Sequence, residues 1–256
     1  MKSKTVLTEY TVGSGPRALR AAVASDLHNS SYDDVIGLIK SAHPDVIFAP
    51  GDTLGALCAE TVPGGELTGR YLAEAADNDI GLSFLREVAA IAPTYCSVGN
   101  HEVSVSEENR RRIAETGALL LDDSCVCLGG LTLGGLSTGG AHGLFHKSNP
   151  PDLAWLNHFA ALGGRKILLC HHPEYWERHI LGHDIFLTVA GHAHGGQWRA
   201  FGRGLLAPGQ GLFPRYTSGV HERGGQYLVV SRGLRKDCGV PRINNPPEIV
   251  IININY

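Results

Sequence analysis

The stretch KSAHPDVIFAPGD, residues 40–52, runs from the end of a predicted helix through a short apolar strand to a polar strand end. The segment 31–43 places apolar side chains at helical spacing. Pro44 ends this helix, because proline has no backbone N–H and a fixed φ. Residues 45–50 are almost wholly apolar, which is typical of a strand buried on both faces. The stretch therefore predicts a sheet covered by helices, with Asp52 at the carboxyl end of a strand.

This alternation of strand and helix continues to about residue 98, and the pattern then changes. A second helix is predicted over 81–92, and short runs over 118–136 predict hairpins, because glycine or aspartate turns separate them. Further strands are predicted at 21–25, 94–98, 166–170, 184–190, 226–231 and 248–254. There is no internal repeat and no linker, so we expect an α/β fold in a single domain over residues 1–256.

The segment 55–80 is the exception to this regular pattern. It is long for a connection between a strand and a helix. We expect it to hold either a short helix over 70–77, lying above the site, or a mobile lid.

The composition argues against several classes of protein. Hydrophobic residues make up 43% of the chain, and the net charge of -3, without a basic block, argues against a nucleic-acid partner. The six cysteines form no CxxC pair, which is typical of free thiols in a reducing compartment. Residues 1–15 contain no apolar stretch like that of a signal peptide, so we expect a cytoplasmic protein.

Polar residues that are able to bind metals follow five of the predicted strands. The motifs are SDLH at 25–28, GD at 51–52, GNHE at 99–102, CHHP at 170–173 and GHAH at 191–194. In an open α/β sheet, ligands bind at the carboxyl ends of the strands. One such strand end is explained by turn chemistry, because Asp and Asn are common in turns, but five together are not. The motifs therefore predict a functional site at this edge of the sheet.

The residue types indicate a metal centre that acts on phosphorus. A mixed set of carboxylate and imidazole ligands suits Mn, Fe, Zn or Ni rather than Ca or Mg alone. The candidate ligands are Asp26, His28, Asp52, Asn100, His171, His192 and His194. Seven ligands are too many for one ion, whereas two ions about 3.5–4 Å apart with a shared carboxylate use them all. Such a pair lowers the pKa of a bridging water and clamps the attacking and leaving oxygens of an in-line displacement.

These motifs, in this order, resemble the calcineurin-like metallophosphoesterases. The pattern of that family is DxH, GD, GNH followed by D or E, a lone H, and GHxH. The similarity extends from about residue 20 to the C-terminus. It implies a four-layer α-β-β-α sandwich with two mixed β-sheets, and a metal-dependent phosphoric ester hydrolase with two divalent ions.

The resemblance also implies a role for each motif residue. The first ion would be held by Asp26, His28 and His194, the second by Asn100, His171 and His192, with Asp52 bridging them. His101 would face the substrate as general acid or as a stabiliser of the phosphoryl oxygen, and Glu102 would orient it. Family members usually show H-x-P at the fourth motif, which makes His171 the ligand rather than His172.

A narrower resemblance rests on GHAHGGQ at 191–197, SRGL at 231–234 and PPEI at 246–249. These segments are similar to a bacterial phosphodiesterase branch that includes membrane-associated enzymes and hydrolases of UDP-2,3-diacylglucosamine. The chain departs from that branch, because GDxxD is here GDTLG and SRGLG is here SRGLR. The substrate of the branch is therefore not carried over.

The expected function is that of a phosphodiesterase or pyrophosphohydrolase in which a metal-bridging hydroxide attacks phosphorus. A phosphomonoesterase, including a protein phosphatase, is the alternative within the same class, and a non-catalytic scaffold of the same fold is the alternative outside it. The substrate is expected to be a small-molecule or lipid-linked phosphoester.

Contact with the inner membrane face is a further hypothesis. It rests on a partly apolar loop with Leu205, Leu206, Leu212, Phe213 and Tyr216. Burial of this loop is the plainer explanation.

Overall fold

The computed structural model describes residues 4–55, 79–102, 105–139, 148–236 and 240–256. The helix or lid predicted within 55–80 therefore lies almost wholly outside the described residues. Within the described ranges, no helix is long and apolar enough to cross a bilayer.

The first sheet is mixed and has six strands. Its order is β1 (Val6–Gly13), β16 (Glu248–Asn255), β2 (Ala18–Val23), β3 (Val46–Pro50), β4 (Thr94–Ser97) and β5 (Leu119–Leu121). Strand β16 runs antiparallel to β2, and the other neighbouring pairs are parallel. All five residues of β3 are buried, which confirms the strand predicted at 45–50.

The second sheet is also mixed and has six strands. Its order is β14 (Gly219–Arg223), β15 (Gln226–Val230), β9 (Leu187–Ala190), β8 (Arg165–Cys170), β7 (Leu131–Leu136) and β6 (Ser124–Leu128). The two outer pairs are antiparallel and the inner pairs are parallel. After β9 come two small hairpins, β10 (Arg199–Ala200) with β11 (Arg203–Gly204), and β12 (Leu206–Ala207) with β13 (Gly211–Leu212).

Helices cover the outer faces of both sheets. Helices α1 (Val35–Ala42) and α2 (Asp79–Ala89) pack on the first sheet through Ile39 and Phe84. Helix α3 (Glu107–Ala114) packs beside α2 at the end of this sheet. Helix α4 (Leu153–Ala161) and a π-helical turn (Trp176–Ile180) cover the second sheet through Phe159 and Trp176.

The inner faces of the two sheets form the central core. Phe48 and Ile252 of the first sheet pack against Leu169, Val189 and Val229 of the second. Burying each of these side chains stabilises the fold by about 1.5–3 kcal/mol. The four layers implied by the sequence resemblance are therefore confirmed.

The hairpins predicted over 118–136 are only partly correct. Strands β6 and β7 form a hairpin, but β5 joins the first sheet parallel to β4. The reason is that α3 precedes β5 and acts as a crossover connection. Strand β1 was not predicted, because its side chains alternate between half-buried and exposed and form no apolar run.

Two consecutive glycines bring the layers together at β7. A Cβ at Gly134 would lie 2.6 Å from the Phe159 ring, and a Cβ at Gly135 would lie 2.3 Å from the backbone oxygen of Leu121. Gly134 thus opens the strand towards α4, and Gly135 opens it towards the first sheet. Since Leu121 presents its backbone, the second contact has no flexible side chain to yield.

We expect Gly135→Ala to lower the free energy of unfolding by about 1–3 kcal/mol, because the added methyl group overpacks the interface between the sheets. Gly37→Ala is the matched control, since a Cβ there meets nothing within 4 Å. In helix α1 this control should stabilise the protein by up to about 1 kcal/mol. Urea unfolding followed by circular dichroism measures both, and equal midpoints for the two variants would contradict the close approach at Gly135.

Candidate metal centre

The carboxyl ends of five strands meet at one edge of the sandwich. The first sheet supplies Asp26 and His28 after β2, Asp52 after β3, and Asn100 after β4. The second sheet supplies His171 after β8 and both His192 and His194 after β9. All seven predicted ligands therefore converge at this edge. Neither sheet alone supplies the full set.

The backbone at this edge is bent into conformations that side chains rarely adopt. Asp26, His28, Asp52, His192 and His194 have φ values of 54°, 51°, 53°, 65° and 44°. A left-handed conformation costs a non-glycine residue about 1–2 kcal/mol, and such strain concentrates at functional sites. With these bends, His194 joins one group of potential ligands and His192 joins another, although the two residues are only two apart.

A first group of potential ligands consists of Asp26, His28 and His194. One ligand atom from each lies within 4.8 Å of those of the other two. His194 Nε2 is 3.8 Å from Asp26 Oδ1, and the rings of His28 and His194 stack with their centroids 5.2 Å apart. A carboxylate and two imidazoles at this spacing are able to hold a divalent cation.

A second group consists of Asp52, His171 and His192, again within 4.8 Å of one another. His171 Nε2 lies 3.1 Å from Asp52 Oδ2 and 3.2 Å from His192 Nδ1. The side-chain oxygen of Asn100 is 3.1 Å from the same His171 nitrogen. His171 Nδ1 is fixed by the Pro50 carbonyl at 2.8 Å, so Nε2 is the nitrogen that faces this group.

Asp52 lies between the two groups. Its Oδ2 atom is 3.1 Å from His171 Nε2 and 3.6 Å from His28 Nε2. Its Oδ1 atom accepts a hydrogen bond from the backbone N–H of His101 at 2.9 Å. One carboxylate oxygen is therefore shared between the groups while the other is anchored.

The protonation of the imidazoles suits a cation. Burial holds the pKa of His28, His192 and His194 well below the usual range, so these rings keep their lone pairs. Both nitrogens of His28 are buried and have no hydrogen-bond partner within the described residues. A buried polar atom without a partner is costly, and a bound cation would satisfy it. The donor set thus fits a divalent metal.

The carboxylates of Asp26 and Asp52 carry a charge opposite to that of a protonated His171. Burial opposes the ionisation of Asp52, but the charge of His171 and its hydrogen bond outweigh burial and hold the pKa of Asp52 well below the usual range. Burial lowers the pKa of His171, but Asp52 and Asp26 outweigh burial and raise that pKa to about 10. Without a metal, a proton on His171 therefore supplies positive charge that the site requires.

His101 lies at the rim of this edge. It is less buried than Asp52 or His171, and its ring contacts that of His28 edge-on, with centroids 4.6 Å apart. One of its nitrogens also lies within 4.8 Å of ligand atoms of His28 and Asp52. Geometry alone therefore allows His101 either to face a substrate or to contact a cation.

Glu102 has a different set of partners from the one expected. Instead of an imidazole, its carboxylate accepts hydrogen bonds from the backbone N–H groups of Asp52, Leu54 and Gly99, at 3.0, 2.9 and 2.9 Å. Burial, and next the charge of Asp52, raise the pKa of Glu102 to about 7. Glu102 thus ties together the loops after β3 and β4.

His172 belongs to a neighbouring cluster that the sequence did not reveal. Its Nδ1 atom is 2.7 Å from Ser148 Oγ and 3.1 Å from Glu174 Oε1, and its ring packs on His192 with centroids 4.0 Å apart. His172, Glu174 and His192 also have ligand atoms within 4.8 Å of one another. No motif marks Ser148 or Glu174, because their partners are distant in sequence or set by the fold.

We expect Glu102→Ala to lower the free energy of unfolding of the metal-free protein by at least about 2 kcal/mol, because three buried N–H groups lose their acceptor. Glu222→Ala, at an exposed position of β14, should have little effect. Denaturant unfolding in the presence of a chelator measures both variants. A Glu102→Ala protein as stable as the wild type would contradict the role of Glu102 in tying the two loops together.

Comparison with known proteins gives a consistent set of relatives. A family model described as calcineurin-like phosphoesterase matches residues 19–196. Phosphodiesterase YaeI of Escherichia coli (strain K12) is 24% identical over 245 residues, which cover 90% of this chain and 80% of that protein. An uncharacterized metallophosphoesterase of Aquifex aeolicus (strain VF5) is 24% identical over 240 residues, covering 90% of this chain and 83% of that protein.

A solved metallophosphoesterase structure from Sphaerobacter thermophilus aligns with 86% of this chain and 79% of its own chain, at 13% identity and a TM-score of 0.36. The match of the family model includes all five strand-end motifs up to His194. The chain therefore belongs to the calcineurin-like phosphoesterase family, and it is a metal-dependent hydrolase of phosphoric esters.

Proposed function

We propose that the protein is a dinuclear phosphodiesterase or pyrophosphohydrolase. The observation that carries this proposal is the position of Asp52, whose Oδ2 atom lies within 3.6 Å of nitrogens from both ligand groups. A carboxylate placed between two groups of donors is the arrangement that a pair of cations requires.

The ligand assignment follows the two groups. Asp26, His28 and His194 would hold one ion, Asn100, His171 and His192 the other, and Asp52 would bridge them. The mixture of oxygen and imidazole nitrogen donors supports Mn, Fe, Zn or Ni. His172 is left out of this set in our proposal, because it groups with Glu174 and His192 and not with the shared carboxylate of Asp52.

The chemistry divides between the ions and the side chains. When bound, the ions supply Lewis-acid polarisation of the phosphoryl oxygens and lower the pKa of water. Asp26 and Asp52 supply the negative charge that retains the ions in a buried site. His101, which is partly exposed at the edge of the metal site, would hold a proton for the leaving oxygen or donate a hydrogen bond to a phosphoryl oxygen. Glu102 acts indirectly, by fixing the loops that carry Asp52 and Asn100.

A diester substrate is favoured over a monoester by one comparison. The relative from Escherichia coli, similar over 90% of this chain, is named a phosphodiesterase. A phosphomonoesterase would use the same ions and the same edge of the sandwich. The two activities are therefore distinguished by measuring hydrolysis of a diester against a monoester.

We expect metal-stripped protein reloaded with Mn²⁺ to retain two ions per chain after gel filtration, measured by plasma mass spectrometry. Asp52→Asn should retain fewer than two, because the side chain loses its negative charge and a neutral amide is a poor bridge between two cations. His101→Ala is the matched variant and should retain both ions while its turnover falls at least about 100-fold. Loss of an ion from His101→Ala would show that His101 is a ligand and overturn the ligand assignment. A single ion in the wild type would overturn the dinuclear proposal.

We expect the Mn²⁺-loaded enzyme to hydrolyse bis-p-nitrophenyl phosphate with a higher kcat/KM than p-nitrophenyl phosphate. The His101→Ala and Asp52→Asn variants show whether the turnover belongs to this site. A preference for the monoester would reassign the protein as a phosphatase. If the protein binds two ions but turns over neither ester nor a nucleotide pyrophosphate, the alternative of a non-catalytic scaffold of the same fold is favoured.

A further inference from the structure

Exposed apolar side chains gather in one part of the molecule, beside the metal centre. Ten large hydrophobic residues are exposed within the described part of the chain, and six of them lie in 198–213 and 240–243. We call these six residues the apolar rim: Trp198, Phe201, Leu212, Phe213, Val240 and Ile243. Phe201 and Phe213 are the most exposed of all, at 105% and 81%. Exposed apolar clusters of this kind mark interaction surfaces.

Backbone and side-chain hydrogen bonds join the rim into one unit. Leu205 N–H donates to Trp198 O at 2.8 Å, and Phe213 N–H donates to Leu205 O at 2.8 Å, so the two small hairpins are linked. Trp198 Nε1 donates to the Pro241 carbonyl at 3.0 Å, which attaches the segment with Val240 and Ile243. The six side chains are therefore presented by a connected scaffold.

The two phenylalanines occupy exposed turns, where their side chains contribute no stabilisation through burial. Phe201 lies between β10 and β11, and Phe213 directly follows β13. Both have a positive φ, 51° and 53°, which is unfavourable for a bulky side chain. Placing an aromatic residue at a strained, fully exposed turn is costly for an isolated protein, so the strain points to a role in binding.

The charge around the rim is positive. Residues 198–213, which span both small hairpins, contain Arg199 and Arg203 and no acidic residue, in a chain whose net charge is -3. Arg203 is exposed on the hairpin that carries Phe201. Arg199 donates to the carbonyls of Gly195 and Gly202, whereas Arg215 is paired with Glu177. Apolar tips beside cationic side chains suit an anionic lipid surface.

We propose that the apolar rim docks the protein on an anionic phospholipid bilayer, with Phe201 and Phe213 entering the headgroup region and Arg203 close to the lipid phosphates. Two protruding tips are better suited to insertion between lipids than to a flat contact with a second copy of the chain. This surface differs from the loop considered from sequence, since Tyr216 is buried and Leu205 and Leu206 are half-buried.

Docking would hold the metal centre near the membrane. The hairpins begin directly after the turn His194–Gly196, and Asn245 Nδ2 donates to the backbone oxygen of His194 at 2.7 Å. The surface that contacts lipid therefore adjoins the residues proposed to hold metal. The docking proposal concerns binding, and it stands whether the substrate is a diester or a monoester.

The test is co-sedimentation of the full chain with vesicles of phosphatidylglycerol and phosphatidylcholine in equal parts, against vesicles of phosphatidylcholine alone. We expect binding to the anionic vesicles. The double variant Phe201→Ser/Phe213→Ser should lower the partition coefficient at least about tenfold, because two apolar side chains no longer enter the bilayer. Arg203→Glu should lower it several-fold and reduce its dependence on salt.

Leu119→Ser is the matched control, since Leu119 is 45% exposed on β5 of the first sheet and should leave binding unchanged. The hydrolysis of a soluble ester by the double variant should equal that of the wild type, so a failure of docking is separable from a failure of the proposed reaction. Absence of wild-type binding, or equal binding by the double variant, would refute the proposal. A dimer in light scattering that the double variant abolishes, without vesicle binding, would assign the rim to a second copy.

Discussion

The burial of two carboxylates at the meeting point of two sheets is the constraint on which the site depends. Asp26 and Asp52 are almost completely removed from water, and three imidazoles around them remain neutral because burial lowers their pKa. Burial raises the pKa of Asp26, so keeping both carboxylates ionised requires positive charge within the site. A proton on His171 supplies part of it, and divalent cations would supply the remainder. The strained backbone and the Glu102 contacts both serve to hold this arrangement.

The sequence was sufficient for the elements that carry one strong physical signal. The run 45–50 predicts its strand because every side chain must be buried, and the motifs at five strand ends predict convergence because parallel strands end at a common edge. The assignment of the strands to two sheets came from the family resemblance, since periodicity does not report which strands pair. Strand β5 shows this limit, because its position depends on the crossover helix before it.

Features that depend on contacts between distant residues could not be predicted. The acidic residue in GNHE was expected to orient His101, but its three partners are backbone N–H groups brought together by the loops after β3 and β4. The Ser148–His172–Glu174 cluster has no motif. The apolar loop was recognised as apolar, yet which of its residues face solvent depended on the packing of Tyr216 against Trp176. A composition pattern gives the amount of apolar surface, and only the fold decides where that surface lies.

The division of the ligands between the sheets has a consequence for folding. The first sheet supplies every candidate oxygen ligand, and the second supplies imidazoles only. A chain in which one sheet has formed but the other has not would therefore lack ligands of both proposed ions. Cations bound at this edge would act as a clamp across the sandwich, adding their binding free energy to the cohesion of the two sheets. By the same linkage, a substitution deep in the core between the sheets would weaken metal retention without touching a ligand.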